Sequence, residues 1–206
     1  PSKKVQKNKF GACLMQEPDL VAKCIEAMTK ATKLPVTIKT RIGYNDVENF
    51  DFLKSFIQTT KDAGSQKFII HARKALLKKL SPKENLNIPP LKYDFVYKLK
   101  DHFKKDEIII NGGIKTTNDI KDHLQRVDGV MIGRAVYHSP YFLADIEKEV
   151  FGNDNVPTRS EVMENLIPYI QEETSKGTQL NHIMRHTVGL FHGQNGSKVW
   201  KQYLSK

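Results

Sequence analysis

The chain has 206 residues, 39% of them apolar, which suffices for one sizeable core with a small second unit and excludes bulk disorder. Lys and Arg outnumber Asp and Glu by 33 to 23, and the net charge of +10 favours an anionic partner or a nucleic-acid backbone over an acidic protein surface. Its two cysteines, Cys13 and Cys24, have no spaced His or acidic companions, which excludes a disulfide framework and a structural metal and fits a reducing compartment, the cytoplasm or an organelle matrix.

The opening PSKKVQKNKFG lacks the apolar stretch of a signal peptide, and no run approaches the roughly 18 to 20 apolar residues of a membrane span, so no membrane is expected. A start at Pro1 rather than Met marks the sequence as an expected piece of a longer chain. Cys13, among the apolar neighbours of FGACLMQEP, has no His or acid placed to activate it and reads as a buried structural residue. DLVAKCIEAMTKAT sets Leu20, Val21, Cys24, Ile25 and Met28 at helical spacing.

PVTIKTRIG at 35–43 is a predicted strand. Lys39 inside it needs an anionic or electron-rich partner unless it reaches solvent from a strand end. FDFLKSFIQTTKDAG places Phe52, Leu53, Phe56 and Ile57 on one helical face before a Gly stop. The next strand, KFIIHAR at 67–73, closes on His71. That histidine is either a satisfied structural residue or, beside Arg73 and Lys74, a phosphate or nucleobase contact. A helix around 94–104, introduced by Tyr93-Asp94, precedes the strand EIIINGG at 107–113. Another around 117–125, with Thr117 as cap, precedes GVMIGRA at 129–135.

The order is βαβαβαβ, and the continuous Val and Ile runs suit parallel strands covered on both faces, with polar residues gathered at their C-terminal ends. No G-x-G-x-x-G follows a first strand, whereas Gly112-Gly113 and Gly133-Arg134 end consecutive strands, as in the phosphate site after strands 7 and 8 of a barrel. The expected fold is therefore the second half of a (β/α)8 TIM barrel, about four βα units over 1–152. Glycines let backbone amides approach an anion, and Arg134 adds a fork of donors matched to phosphate. After the polar linker NDNVPTRS every periodic segment is helical. Stripes at Val162, Leu166, Ile167, Ile170, at Ile183, Thr187, Leu190, Phe191 and at Val199, Trp200, Tyr203, Leu204 predict a small all-helical domain over 153–206.

VTIKTRIG, FIIHARKA, LSPKENLNIPPL, INGGI, DGVMIGRA and RHTVGLFHGQNGSKVWKQYLS resemble, in order and spacing, segments of the A-type tRNA-dihydrouridine synthases, and the likeness covers essentially the whole chain. The resemblance implies an FMN-dependent oxidoreductase that uses NADPH to reduce uridine to 5,6-dihydrouridine in the D-loop of tRNA, at positions 20 and 20a. It assigns Lys39 and His71 to the flavin, Asn111, Gly112 and Gly113 to its ribityl-phosphate end, and Gly133 and Arg134 to the phosphate. Arg73 is implied at the target uracil, and Lys83, Lys198 and Lys201 at tRNA. Three residues beyond Lys83, where the family has another tRNA-contacting Arg, stands Leu86. The proton donor is a cysteine in Asn-x-Gly-Cys-Pro-Ser. Pro1-Ser2 match its last two residues, which puts the cysteine immediately before Pro1 and leaves no catalytic residue of this kind within the sequence.

On that alignment the first four strands are absent, and these residues expressed alone are expected to bind little FMN and reduce no uridine. Two other readings compete. One is an inactive homologue that retains salt-sensitive tRNA binding. The other is a different FMN- or phosphate-binding barrel enzyme, which leaves the terminal helical block unexplained.

Overall fold

Alternating apolar and helical segments become, in a computed structural model that describes Lys4, residues 7–77 and residues 80–204, a four-stranded parallel sheet and the helices that connect its strands. The chain groups into two compact units. One holds residues up to Ile114 together with Asp122–Met131, the other Lys115–Lys121 and residues from Ile132 onward.

In the first unit α1 (Pro18–Ala31) precedes β1 (Ile38–Arg41), α2 (Phe50–Asp62), β2 (Lys67–His71), α3 (Tyr93–His102) and β3 (Glu107–Asn111). Helix α4 (Thr117–Leu124) then leads to β4 (Gly129–Met131). Strand order follows chain order, and every neighbouring pair is parallel. The strands are shorter than the apolar runs that predict them, for local reasons. Pro35 has no N–H to offer a ladder, and after Ile42 the Tyr44 amide turns back to the Val47 carbonyl at 3.0 Å. Gly112 and Gly113, at φ +115° and +77°, end β3 by leaving the extended region.

Helix α2 shows how sequence sets an element here. The Asn49 side chain accepts the Phe52 amide at 2.8 Å as N-cap, and Leu53, Phe56, Ile57 and Thr60 are buried on one face. The buried Thr60 hydroxyl is satisfied by the Phe56 and Ile57 carbonyls at 2.9 and 3.0 Å. Gly64 at φ +114° completes the stop. Helix α1 packs against α2 but seals only Ile25. Leu20 and Met28, expected in its apolar stripe, are each 48% exposed, and Cys24 is exposed too. Cys13, expected to be buried, is half-buried.

Period-two alternation divides the sheet. Phe68, Ile70, Ile108 and Ile110 have no accessible surface, and each such side chain stabilises the fold by about 1.5–3 kcal/mol on burial. On the opposite face Lys39 is exposed and Ile69 and Ile109 are half-buried, while His71 and Asn111 at the strand ends are buried. Cover on both faces, the reading drawn from the continuous apolar runs, is thus complete on one face and partial on the other.

Ion pairs hold the N-terminal edge of the sheet: Lys61 with Asp106 at 2.6 Å and Lys100 with Asp128 at 2.7 Å. Asp128 also accepts the Ile108 amide at 2.8 Å. Burial alone would raise the Asp128 pKa, but the hydrogen bonds from Lys100 and Ile108 outweigh it and hold the carboxyl below its ordinary 3.8. A carboxylate depressed in the fold adds stability that is fully present above its unfolded pKa and lost as pH falls through the folded one. Asp128→Asn is therefore expected to lower the melting temperature at pH 7, with a difference from wild type that shrinks at pH 3 and below. A gap of equal size at both pH values would count against the ion pair.

In the second unit α5 (Arg134–His138), α6 (Phe142–Glu149), α7 (Arg159–Ser175), α8 (Leu180–Met184) and α9 (Ser197–Leu204) follow the sheet. The linker ends in a capping box. The Thr158 hydroxyl accepts the Glu161 amide at 3.2 Å, and the Glu161 carboxylate accepts the Thr158 amide at 2.7 Å. Two expectations need correction. The cap of α4 is Thr116, whose hydroxyl accepts the Asp119 amide at 3.1 Å, while the Thr117 hydroxyl donates to the Glu149 carboxylate. The stripe Ile183, Thr187, Leu190, Phe191 does not lie on one helix, because residues 185–196 run as successive turns. Gly189 abuts the His138 carbonyl where a Cβ would collide, and Gly193 and Gly196 take φ +77° and +82°, so the helical pattern cannot propagate. Trp200 closes this region, donating its indole N–H to the Thr187 carbonyl at 3.2 Å with its ring 5.0 Å from that of Phe191.

Candidate active site

Strand register brings four polar side chains to the C-terminal ends of three strands. Arg41 pairs with His71 and His71 with Asn111, and Lys39 lies two residues before Arg41, so all four share one face. The Lys39 ammonium donates to Asn111 Oδ1 at 3.0 Å, and Asn111 Nδ2 donates to the Met131 carbonyl at 2.8 Å, which fixes the amide's orientation. Of the two readings of Lys39, an electron-rich partner or reach to solvent, both hold in part, since it meets Asn111 and remains exposed. Lys39 is exposed as a residue, yet its ammonium sits against the strand ends. Burial, and then the neighbouring Arg41 charge, lower its pKa from the ordinary 10.5.

Arg41 is the site residue that sequence reasoning missed. The signal was the i, i+2 spacing from Lys39. Its Nη1 donates to the Lys74 and Asn85 carbonyls, both at 2.9 Å, and burial followed by the Arg73 charge lowers its pKa. Two cations held below their ordinary values on one face are relieved by a negative or electron-rich group set among them.

His71, 8% exposed, lies beside Gly112: a Cβ there would come within 3.2 Å of the imidazole and 3.1 Å of Leu91. A Cβ on Gly113 would come within 2.5 Å of Leu91 and 2.9 Å of the Tyr93 hydroxyl, which donates to the Gly112 carbonyl at 2.7 Å. Packing and positive φ both require glycine at these two positions. Gly133 differs. Its φ is −114°, and a Cβ would meet nothing within 4 Å.

Lys39, Arg41, His71, Asn111, Gly112 and Gly113 therefore assemble in the first unit. Arg73 follows in the next turn, its guanidinium donating to the Asn87 and Pro89 carbonyls. Lys83 is exposed in the β2–α3 connection and Leu86 is half-buried there. Gly133 and Arg134, and Lys198 and Lys201 on α9, are exposed residues of the second unit. Pro1, next to which the resemblance puts the donor cysteine, lies outside the described residues. Among the described residues no cluster of three His, Cys, Asp or Glu could hold a metal, and no helix is long and apolar enough to cross a membrane.

A donor set of ammonium, guanidinium, amide and imidazole suits a group that is anionic or rich in hydrogen-bond acceptors. The model of the family described as Dihydrouridine synthase (Dus) matches residues 1–206. The chain belongs to that family. It is similar to the tRNA-dihydrouridine(20/20a) synthase of Vibrio parahaemolyticus, 49% identical over 208 residues that take in all of this chain and 64% of the relative. The like-named proteins of Synechocystis sp. and Yersinia pestis are each 48% identical, with 62% and 60% of their lengths covered. The chain thus spans less than two thirds of the length of these relatives. Dihydrouridine synthases are flavin-dependent oxidoreductases, and the four parallel strands with their helices are the α/β architecture expected of one.

Proposed function

We propose that the protein acts as an FMN- and NADPH-dependent synthase that reduces uridine to 5,6-dihydrouridine in the D-loop of tRNA, at positions 20 and 20a, in the cytoplasm or an organelle matrix. The observation that carries this reading is the Lys39–Asn111 pair at 3.0 Å, set with Arg41 and His71 on the polar face of the strand ends. The relatives' names, given to proteins that contain a counterpart of the whole chain, support the substrate.

When bound, the cofactor would supply hydride chemistry between NADPH and C6 of uracil, the proton for C5 coming from the cysteine that the resemblance puts before Pro1. Lys39 and His71 would hold the flavin. Asn111 orients the Lys39 ammonium, and Gly112 and Gly113 would offer backbone groups to the ribityl-phosphate end. Gly133 and Arg134 take the phosphate role, and Arg73 the target uracil. Lys83, Lys198 and Lys201 neutralise tRNA phosphates, the base being drawn out of the stack to reach the flavin. In this reading the strands are numbers 5–8 of a (β/α)8 barrel over 1–152, and 153–206 form the helical tRNA-binding domain. An inactive tRNA-binding homologue is less well supported, since the relatives carry the synthase name.

Deleting the gene and reading dihydrouridine along purified tRNA tests the reading. Dihydrouridine is expected to vanish at 20 and 20a and return when the gene is restored, but not when Lys39→Ala is restored. Unchanged dihydrouridine after deletion overturns it.

A further inference from the structure

The connection between β2 and α3 contains an asparagine with no accessible surface, Asn85, whose side chain bonds to backbone groups among the described residues. Its Oδ1 accepts the Leu76 amide at 2.7 Å, and its Nδ2 donates to the carbonyls of Leu76, Leu80 and Ser81 at 3.1, 3.2 and 3.3 Å. One amide thus ties the start of the connection to the turn that carries Lys83. Only a group with both an acceptor and two donors can do this. An aspartate would face carbonyls with a charge, and an aliphatic side chain would leave buried polar groups unpaired.

A second device staples the same turn from the solvent side. The Ser81 amide donates to the Glu84 carboxylate at 2.8 Å, and the Glu84 amide donates to the Ser81 hydroxyl at 3.3 Å. These bonds close a reciprocal loop around Lys83. A third tie comes from the sheet, because the Asn85 carbonyl accepts Arg41 Nη1 at 2.9 Å. The turn is therefore fixed to the strand that bears Lys39.

We propose that Asn85, with the Ser81–Glu84 staple, is a positioning residue for tRNA. It holds the Lys83 backbone on a preformed turn tied to the strand that bears Lys39 and Arg41, so that only the lysine side chain has to be ordered when the RNA arrives. The inference rests on the reading of Lys83 as a tRNA contact and deepens it.

The test is tRNA affinity over a KCl series for wild type, Lys83→Ala, Asn85→Ala, Glu84→Ala and the Lys83→Ala/Asn85→Ala double variant. Lys83→Ala is expected to reduce the salt slope by about one. Asn85→Ala is expected to weaken binding by about tenfold, and the double variant to bind no more weakly than Asn85→Ala, because a misplaced lysine is already lost. Glu84→Ala discriminates most sharply, being a surface change that leaves the core intact if Asn85→Ala fails to fold. Removing a negative charge beside a polyanion site should tighten binding on electrostatics alone, whereas losing the staple should weaken it. Weaker binding supports the proposal. Tighter binding, or losses at Lys83 and Asn85 that simply add, overturns the positioning role while Lys83 keeps its effect. An unchanged slope in Lys83→Ala instead strikes the functional reading beneath it.

Discussion

Asn111→Leu is expected to leave the protein without retained flavin and to destabilise it by about 3 kcal/mol. The Asn111 amide bridges two strands, accepting the Lys39 ammonium at 3.0 Å and donating to the Met131 carbonyl at 2.8 Å, in a residue only 9% exposed. Leucine has nearly the same volume but neither function. It leaves one carbonyl and one ammonium without their partners, and a polar group stranded in this way costs about 1–3 kcal/mol. Lys39 suffers most. Burial and then the Arg41 charge already disfavour its charged form, and the substitution also removes the Asn111 oxygen that accepts its hydrogen bond. Urea unfolding reads the stability loss, and the ratio of flavin to protein absorbance, in the protein expressed from its whole gene, reads cofactor retention. Wild-type flavin content in Asn111→Leu would remove Asn111 from the site.

Gly113→Ala is the second large effect, expected at about 2–4 kcal/mol. Two separate penalties meet at this position. The backbone has φ +77°, a conformation that an L side chain adopts only at a cost. The added methyl also falls 2.5 Å from Leu91 Cδ1 and 2.9 Å from the Tyr93 hydroxyl. Leu91 can shift, but Tyr93 is held by its bond to the Gly112 carbonyl at 2.7 Å, so relief on one side breaks a contact on the other. Gly133→Ala provides the control. Its φ is −114° and its Cβ meets nothing within 4 Å, so its stability should stay within about 0.5 kcal/mol of wild type. Equal denaturation midpoints for Gly113→Ala and wild type would refute the steric account.

Several features were legible in the residues because their signals are local. Strand and helix order follows from where period-two and helical patterns change over, and Lys39 announces itself as a cation inside an apolar strand. Gly112-Gly113 and His71 stand where an apolar run meets polar residues. What was misread has two causes, the fine placement of a helix start and a contact distant in sequence. Thr116 rather than Thr117 caps α4, a one-residue matter decided by where the first helical turn closes on Asp119. The stripe at Ile183, Thr187, Leu190 and Phe191 has helical spacing, yet Gly189 is drawn against His138, fifty-one positions earlier, and the turns prevail.

The sequence by itself determined the α/β class and the parallel strands, which rest on periodicity, and the family, which rests on short motif blocks that keep their meaning wherever they lie. Only the tertiary structure decided that Asn111 is the partner of Lys39, that Arg41 joins them, and that Asn85 locks the Lys83 turn. Strand register sets the Lys39–Asn111 pairing across 72 positions, the return of the β2–α3 connection sets the Arg41–Asn85 contact across 44, and no local pattern encodes which amide will meet which charge.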